Sequence, residues 1–227
     1  MSKKVIVFDL DDTLISERDY IDSGFNIISK KISEDYNLND EKIKIKMSEF
    51  FNINSVNLFN RILDYFKVEY DLNYIKKLVF LYRNHIPTIE LYDDAKEIIE
   101  YLSKNGYELG IITDGYKEAQ RNKIKVLNIE KYFKHIVITD ELGKEFWKPS
   151  EIPYKIIKDK FKCEYKDIVY IGDNIKKDFI TANKLGIITI QIVRENGIYS
   201  KELAKENKYQ AKLVIDNLNK IVGANLL

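Results

Sequence analysis

Residues 5–8, Val-Ile-Val-Phe, make an unbroken apolar run between Lys3-Lys4 and Asp9. A short continuous run of this kind reads as a strand buried on both faces, the usual state of a central strand in a parallel sheet. The rhythm then changes. From 16 to 85 no segment alternates like a strand, whereas Ile21, Phe25, Ile28 and Ile32 recur at helical spacing. Asn39 or Asp40 can cap a helix carrying Ile43, Met47 and Phe50; Ser55 can cap one carrying Phe59, Ile62, Leu63 and Phe66; Asn73 precedes one carrying Ile75, Leu78, Val79 and Tyr82. These patterns predict a bundle of four helices, closed by Pro87.

From 93 onward helix and strand patterns alternate, which argues for parallel βαβ units. Asp93 can cap a helix burying Ala95, Ile98, Ile99 and Leu102, with Asn105-Gly106 as its C-terminal stop and a strand at 107–113. A helix to about Val126 follows, then a strand at 136–139, a helix at 150–161, a strand at 168–171, a helix at 175–185, a strand at 187–193 and a last short strand at 213–215. The chain therefore reads as α/β, with a parallel-sheet core from 1–14 and 89–227 interrupted by a helical insertion at 15–88.

Charge narrows the field. The 37 basic and 36 acidic residues nearly cancel, so the sequence gives no electrostatic reason to expect nucleic acid or an anionic membrane as partner. No apolar stretch reaches the length of a signal sequence or membrane span, and the single cysteine, Cys163, cannot form an internal disulfide. The expectation is a cytoplasmic protein. Cys163 has no neighbouring histidine to activate it, and His85 and His135 lack metal-ligand spacing; all three read as structural.

The apolar run ends in Asp9-Leu10-Asp11-Asp12-Thr13. Ligands in open α/β sheets bind beyond the carboxyl ends of the strands, which makes Asp9 a candidate nucleophile. If the chain stays extended, Asp9 and Asp11 lean to one side, and their repulsion calls for a cation or a shared proton. That pairing suits covalent catalysis by a carboxylate, with a second carboxyl group moving protons and Mg²⁺ holding charge. Taken alone, the segment is equally readable as a turn and helix cap.

Three further strand ends change the balance. Thr113-Asp114-Gly115 offers a hydroxyl and exposed backbone N–H groups for phosphate oxygens. Lys148, just before a helix start, is placed for a phosphate dianion, and Gly172-Asp173-Asn174 with Asp178 adds hard oxygen donors; Asp9 and Asp173 suit octahedral Mg²⁺. Each is weak alone, but carboxylates, hydroxyl, lysine and carboxylates fall in order at the carboxyl ends of successive strands.

In that order and over nearly the full length, these motifs resemble those of the haloacid dehalogenase-like hydrolases, in the phosphatase branch with a helical cap after the first motif. The resemblance implies a Rossmann-like three-layer core with a parallel sheet plus an inserted α-helical bundle cap. It implies that Asp9 attacks phosphorus and that Asp11 protonates the leaving alcohol and then activates water. Thr113 and Lys148, with Asp114 beside them, would hold phosphoryl oxygens. Asp9, Asp173 and the backbone carbonyl of Asp11 would ligate Mg²⁺, with Asp178 and Gly115 in support. The stretch Gly115–Lys123 also looks like a pattern found in branches acting on nucleotides and nine-carbon sugar phosphates. The implied activity is Mg²⁺-dependent hydrolysis of a small phosphorylated metabolite, a sugar phosphate or nucleoside monophosphate, through an aspartyl-phosphate.

Two rivals stand beside it. A sugar-phosphate phosphomutase shares Asp9 and Asp11. A phospho-accepting regulatory module also uses an acidic cluster, a threonine and a lysine, but its phosphorylated aspartate ends a later strand. Arg18, Asp22, Arg61, Tyr65 and Arg83 are the polar candidates for leaving-group recognition in the insertion. The sequence assigns no oligomeric state.

Overall fold

A computed structural model describes residues 4–199 and 206–223. Its Cα packing divides the chain into two compact units, one of Met1–Arg18 with Ile89–Leu227 and the other of Asp19–Thr88. In chain order, strand β1 (Val5–Phe8) is followed by helices α1 (Glu17–Tyr36), α2 (Asp40–Ile53), α3 (Leu58–Tyr65) and α4 (Leu72–Asn84). Then come α5 (Asp93–Lys104), β2 (Glu108–Thr113), α6 (Lys117–Leu127), β3 (His135–Ile138), α7 (Ile152–Phe161), β4 (Ile168–Gly172), α8 (Ile180–Lys184), β5 (Ile188–Ile192) and β6 (Leu213–Ile215).

The six strands form one sheet of order β3-β2-β1-β4-β5-β6, parallel throughout. This is a doubly wound arrangement, and its switch point lies at β1, where β2 pairs on one side and β4 on the other. Every residue of β1 is buried, as the apolar run required. Val5 and Val7 share an apolar cluster with Tyr154, Ile157 and Phe161 of α7. Alternation sends Ile6 and Phe8 to the opposite face, where Phe8 meets Phe133 edge-on at 6.2 Å. The sheet is thus covered on both faces. Gly110 allows the close approach of α7, since a Cβ there would lie 3.0 Å from the Phe161 ring.

The Asp19–Thr88 unit is held by aromatic packing. Ile21, Phe25, Ile28 and Ile32 of α1 are buried, and Ile43, Met47, Ile62, Leu63 and Leu78 complete the interior. Tyr82 is a hub: its ring lies 5.7 Å from that of Tyr20, 5.9 Å from Phe59 and 6.4 Å from Phe25. A Cβ at Gly24 would overlap that ring.

Several boundaries differ from the sequence expectation for local reasons. Asn39 does cap α2, accepting the Lys42 N–H, but α3 starts after a left-handed Asn57 rather than a Ser55 cap, and Asp71, not Asn73, caps α4 through the Tyr74 N–H. Asp93 begins α5 without capping it. The helix expected over 175–185 is regular only from Ile180, because 174–178 is spent on a side-chain-braced turn: Asn174 Oδ1 accepts the Lys176 N–H, and Asp178 Oδ2 accepts the Asn174 N–H. No helix of the described residues is long and apolar enough to cross a membrane.

Candidate active site

The carboxyl end of β1 lies between those of β2 and β4, so three chain segments remote in sequence meet there. The strand stops at Phe8, and the acidic segment does not stay extended. Asp9 takes the Ile171 carbonyl through its N–H at 2.8 Å, the chain then turns so that the Leu14 N–H reaches the Leu10 carbonyl at 2.9 Å, and Asp12 adopts φ 48°. Asp9 and Asp11 therefore part company rather than leaning together. Asp9 is 2% exposed and faces β4 and the 148 loop, while Asp11 reaches α6: its Oδ1 is 2.6 Å from Lys123 Nζ and its Oδ2 accepts from Gln120 Nε2 at 3.0 Å.

Asp12, without an assigned role in the sequence, braces this turn. Its Oδ1 accepts the Glu17 N–H at 2.9 Å and its Oδ2 the Ile198 N–H at 2.7 Å. Arg194 adds a second clasp, donating to the Thr13 carbonyl at 2.6 Å and to Asp94 Oδ2 at 2.8 Å with its guanidinium 4.0 Å over the Tyr92 ring. Thr13 itself is fully buried.

Lys148 is the centre of the charge cluster. Its Nζ lies 2.8 Å from each of Asp9 Oδ2, Asp178 Oδ1 and Tyr170 Oη, and its side chain is wholly shielded from solvent. Burial alone would lower its pKa, but Asp178, Asp9 and Asp114 together hold it well above the usual lysine range. Asp178 thus serves the lysine directly. Its place requires Gly172, because a Cβ there would sit 2.5 Å from Asp178 Oδ2. The Tyr154 hydroxyl fixes the same turn by donating to the Asp178 carbonyl at 2.9 Å.

Thr113 and Asp114 end β2. Thr113 Oγ1 accepts from Gln120 Nε2 at 2.5 Å, and Asp114 Oδ1 accepts the Thr139 hydroxyl at 2.8 Å and the Lys148 N–H at 3.1 Å. Burial pushes the Asp114 carboxyl up, but Lys148 and Lys177 outweigh it and hold it below the usual range. Gly115, at φ 134°, supplies the bend after it, and a Cβ there would crowd Gln120. As an anion, the Asp114 side chain orients the loop around Lys148, which leaves its backbone N–H as its donor towards a phosphoryl oxygen.

Carboxylate oxygens of Asp9, Asp173 and Asp178 lie within 4.8 Å of one another, the arrangement of hard donors that could hold a divalent cation. The electrostatics agree. Burial raises the Asp9 carboxyl to about 6, against the pull of Lys148 and Lys177, and burial with Asp178 and Asp9 raises Asp173 well above its ordinary value. Two lysines beside four carboxylates leave the pocket short of positive charge. The site residues fit a bound metal on that ground.

Sequence reasoning had no role for Lys177, whose Nζ is 3.1 Å from Asp114 Oδ2 and 3.9 Å from Asp9 Oδ2, nor for Tyr170. Gln120 and Lys123 were visible only as part of a pattern; the helical spacing i, i+3 that puts both on one face of α6 was the available signal. Glu17 is a third addition: burial, then Asp11, raises its carboxyl to about 7. Of the recognition candidates, Arg61 is tied to the backbone of its own unit. It donates to the Phe50 carbonyl at 3.1 Å and to the Asn54 carbonyl, closing the end of α2.

A family model described as haloacid dehalogenase-like hydrolase matches residues 6–192. The chain is 28% identical over 204 residues to a glyceraldehyde 3-phosphate phosphatase of Methanocaldococcus jannaschii, with 84% of this chain and 85% of that protein covered. It is 24% identical over 193 residues to a pyrophosphatase of Bacillus mycoides, covering 85% and 84%. Among solved structures, an HAD phosphatase from Thermococcus onnurineus shares the fold at a TM-score of 0.64 and 22% identity, with 97% and 98% covered.

Proposed function

The chain belongs to the haloacid dehalogenase-like hydrolases and is a phosphoric monoester hydrolase among them; from that premise we propose that Asp9 is its nucleophile and that the substrate is a small sugar or triose phosphate. The observation that carries the mechanism is the position of the Asp9 carboxylate, buried at the switch point of the sheet with Lys148 bridging it to Asp178. An anionic nucleophile approaches an anionic phosphate only where cations offset the repulsion.

In this reading one oxygen of Asp9 attacks phosphorus and the leaving alkoxide takes a proton from Asp11. Asp11 then draws a proton from the water that hydrolyses the aspartyl-phosphate. Asp11 thus enters the first step protonated and leaves the second protonated again, with Lys123 and Gln120 holding its carboxyl group in one orientation. Lys148 neutralises Asp9, and Thr113 stands ready for a phosphoryl oxygen once Gln120 yields. Asp9, Asp173 and the Asp11 carbonyl would hold Mg²⁺, which when bound supplies the remaining positive charge for the transferring phosphoryl group. The helical unit is proposed as the cap that selects the leaving group. The names of the relatives support a phosphate ester of a small metabolite.

The test is Asp9→Asn assayed on glyceraldehyde 3-phosphate and p-nitrophenyl phosphate with Mg²⁺. Turnover should fall by about a thousandfold or more with the circular dichroism spectrum unchanged; retained phosphate release would sink the assignment. Isomeric sugar phosphates among the products, in place of free phosphate, would favour a mutase.

A further inference from the structure

Lys148 has no hydrogen to spare. Its ammonium carries three N–H groups amid four acceptors: Asp9 Oδ2, Asp178 Oδ1 and the Tyr170 hydroxyl at 2.8 Å, and the Ile112 carbonyl at 3.4 Å. Its side chain is also sealed from solvent. A phosphate arriving from outside therefore meets a cation already committed on every side.

Lys177 differs on each count. Its side chain is 28% exposed, and it meets two carboxylates as ion pairs, Asp114 Oδ2 at 3.1 Å and Asp9 Oδ2 at 3.9 Å, the second too long to be a hydrogen bond. With one acceptor within hydrogen-bonding distance among the described residues, its ammonium keeps N–H groups available beside Asp9. The turn that carries it is fixed, because Asn174 accepts the Lys177 N–H through its carbonyl at 3.2 Å while Asp178 holds the Asn174 N–H. We propose that Lys177 is a second cationic arm of the phosphate site, donating to a non-bridging phosphoryl oxygen of the incoming monoester while Asp114 holds it at rest. Lys148 then acts mainly on the nucleophile, and Lys177 mainly on the substrate. This division rests on the phosphatase reading above.

The competing account is that Lys177 only anchors Asp114, and the experiment separates the two. Wild type, Lys177→Gln, Lys177→Arg and Asp9→Asn are compared for p-nitrophenyl phosphate kinetics, for inhibition by inorganic phosphate, and for thermal protection by inorganic phosphate in EDTA. For Lys177→Gln the inhibition constant of phosphate and the KM should each rise roughly tenfold, as expected on losing a charge-assisted hydrogen bond, with kcat changing less. Phosphate protection in EDTA should shrink, and Lys177→Arg should recover most of both. An inhibition constant and KM within twofold of wild type, or a kcat loss that arginine does not rescue, would overturn the role of Lys177. If Asp9→Asn still turns over, the phosphatase mechanism fails instead, and phosphate protection in EDTA still reports on Lys177.

Discussion

The two units of this chain bury different things. In the sheet unit the buried polar groups include four charged ones, Asp9, Asp178, Asp114 and Lys148, linked through Lys148 and all nearly free of solvent. In the Asp19–Thr88 unit the interior is aliphatic and aromatic, and the ion pairs of Lys31 with Asp35 and Lys46 with Glu49 lie towards the surface. Buried charges favour a fold only where each finds a partner, and a surplus of carboxylates opposes it. The sheet unit therefore carries a destabilising cluster on a well-packed frame, whereas the helical unit carries none. Chemistry and packing are divided between them.

Three measurements would break or sharpen that contrast. The largest effect belongs to the helical unit. Phe25 is 2% exposed and packs on Phe51 and Tyr82, so Phe25→Ala should cost about 3–5 kcal/mol in urea unfolding. It should leave the pH dependence described below unchanged; a changed pH profile would mean the two units do not draw on separate sources. Next is Gly172→Ala, where the new methyl meets Asp178 Oδ2. About 1–3 kcal/mol of stability should be lost, together with at least about tenfold in turnover as Lys148 loses its seat. A neutral outcome would show that the 174–178 turn yields freely.

The last effect is a matter of sign. The Asp9 carboxyl is raised to about 6 by burial, so folding favours its protonated form. Its contribution to the stability of the metal-free protein is most favourable below the unfolded value near 4 and is lost as pH rises through 6. In EDTA, Asp9→Asn should therefore gain on wild type by on the order of 2 kcal/mol between pH 4 and pH 7.5, measured by urea unfolding. A difference that shrinks over that range would contradict the assigned direction.

The sheet and its order of elements were legible because parallel strands are apolar runs and their helices are amphipathic. β1 illustrates it: four apolar residues ending in an acid located both the central strand and the nucleophile candidate. The acids' separate directions were not legible, since they depend on the turn at Asp12 and on Lys123, more than a hundred positions away. Lys177 was hidden by its surroundings in sequence, one of two adjacent lysines in a polar segment. Only the carboxylates of Asp9 and Asp114 on neighbouring strand ends distinguish it from Lys176. The short α8 was missed because Asn174 and Asp178 compete with helical hydrogen bonds, an outcome that periodicity does not register.

The Asp12 clasp on Ile198 joins residues 186 positions apart, and Arg194 reaches the Thr13 carbonyl over 181. Contacts of such span form late in a folding reaction, after the loops between them have closed. The segment that carries Asp9 is thus set in place only once chain more than 180 positions away has docked on it. Until the 194–198 segment docks, the acidic segment lacks the brace that aims it, so the seat of Asp9 depends on closing the longest loops of the fold.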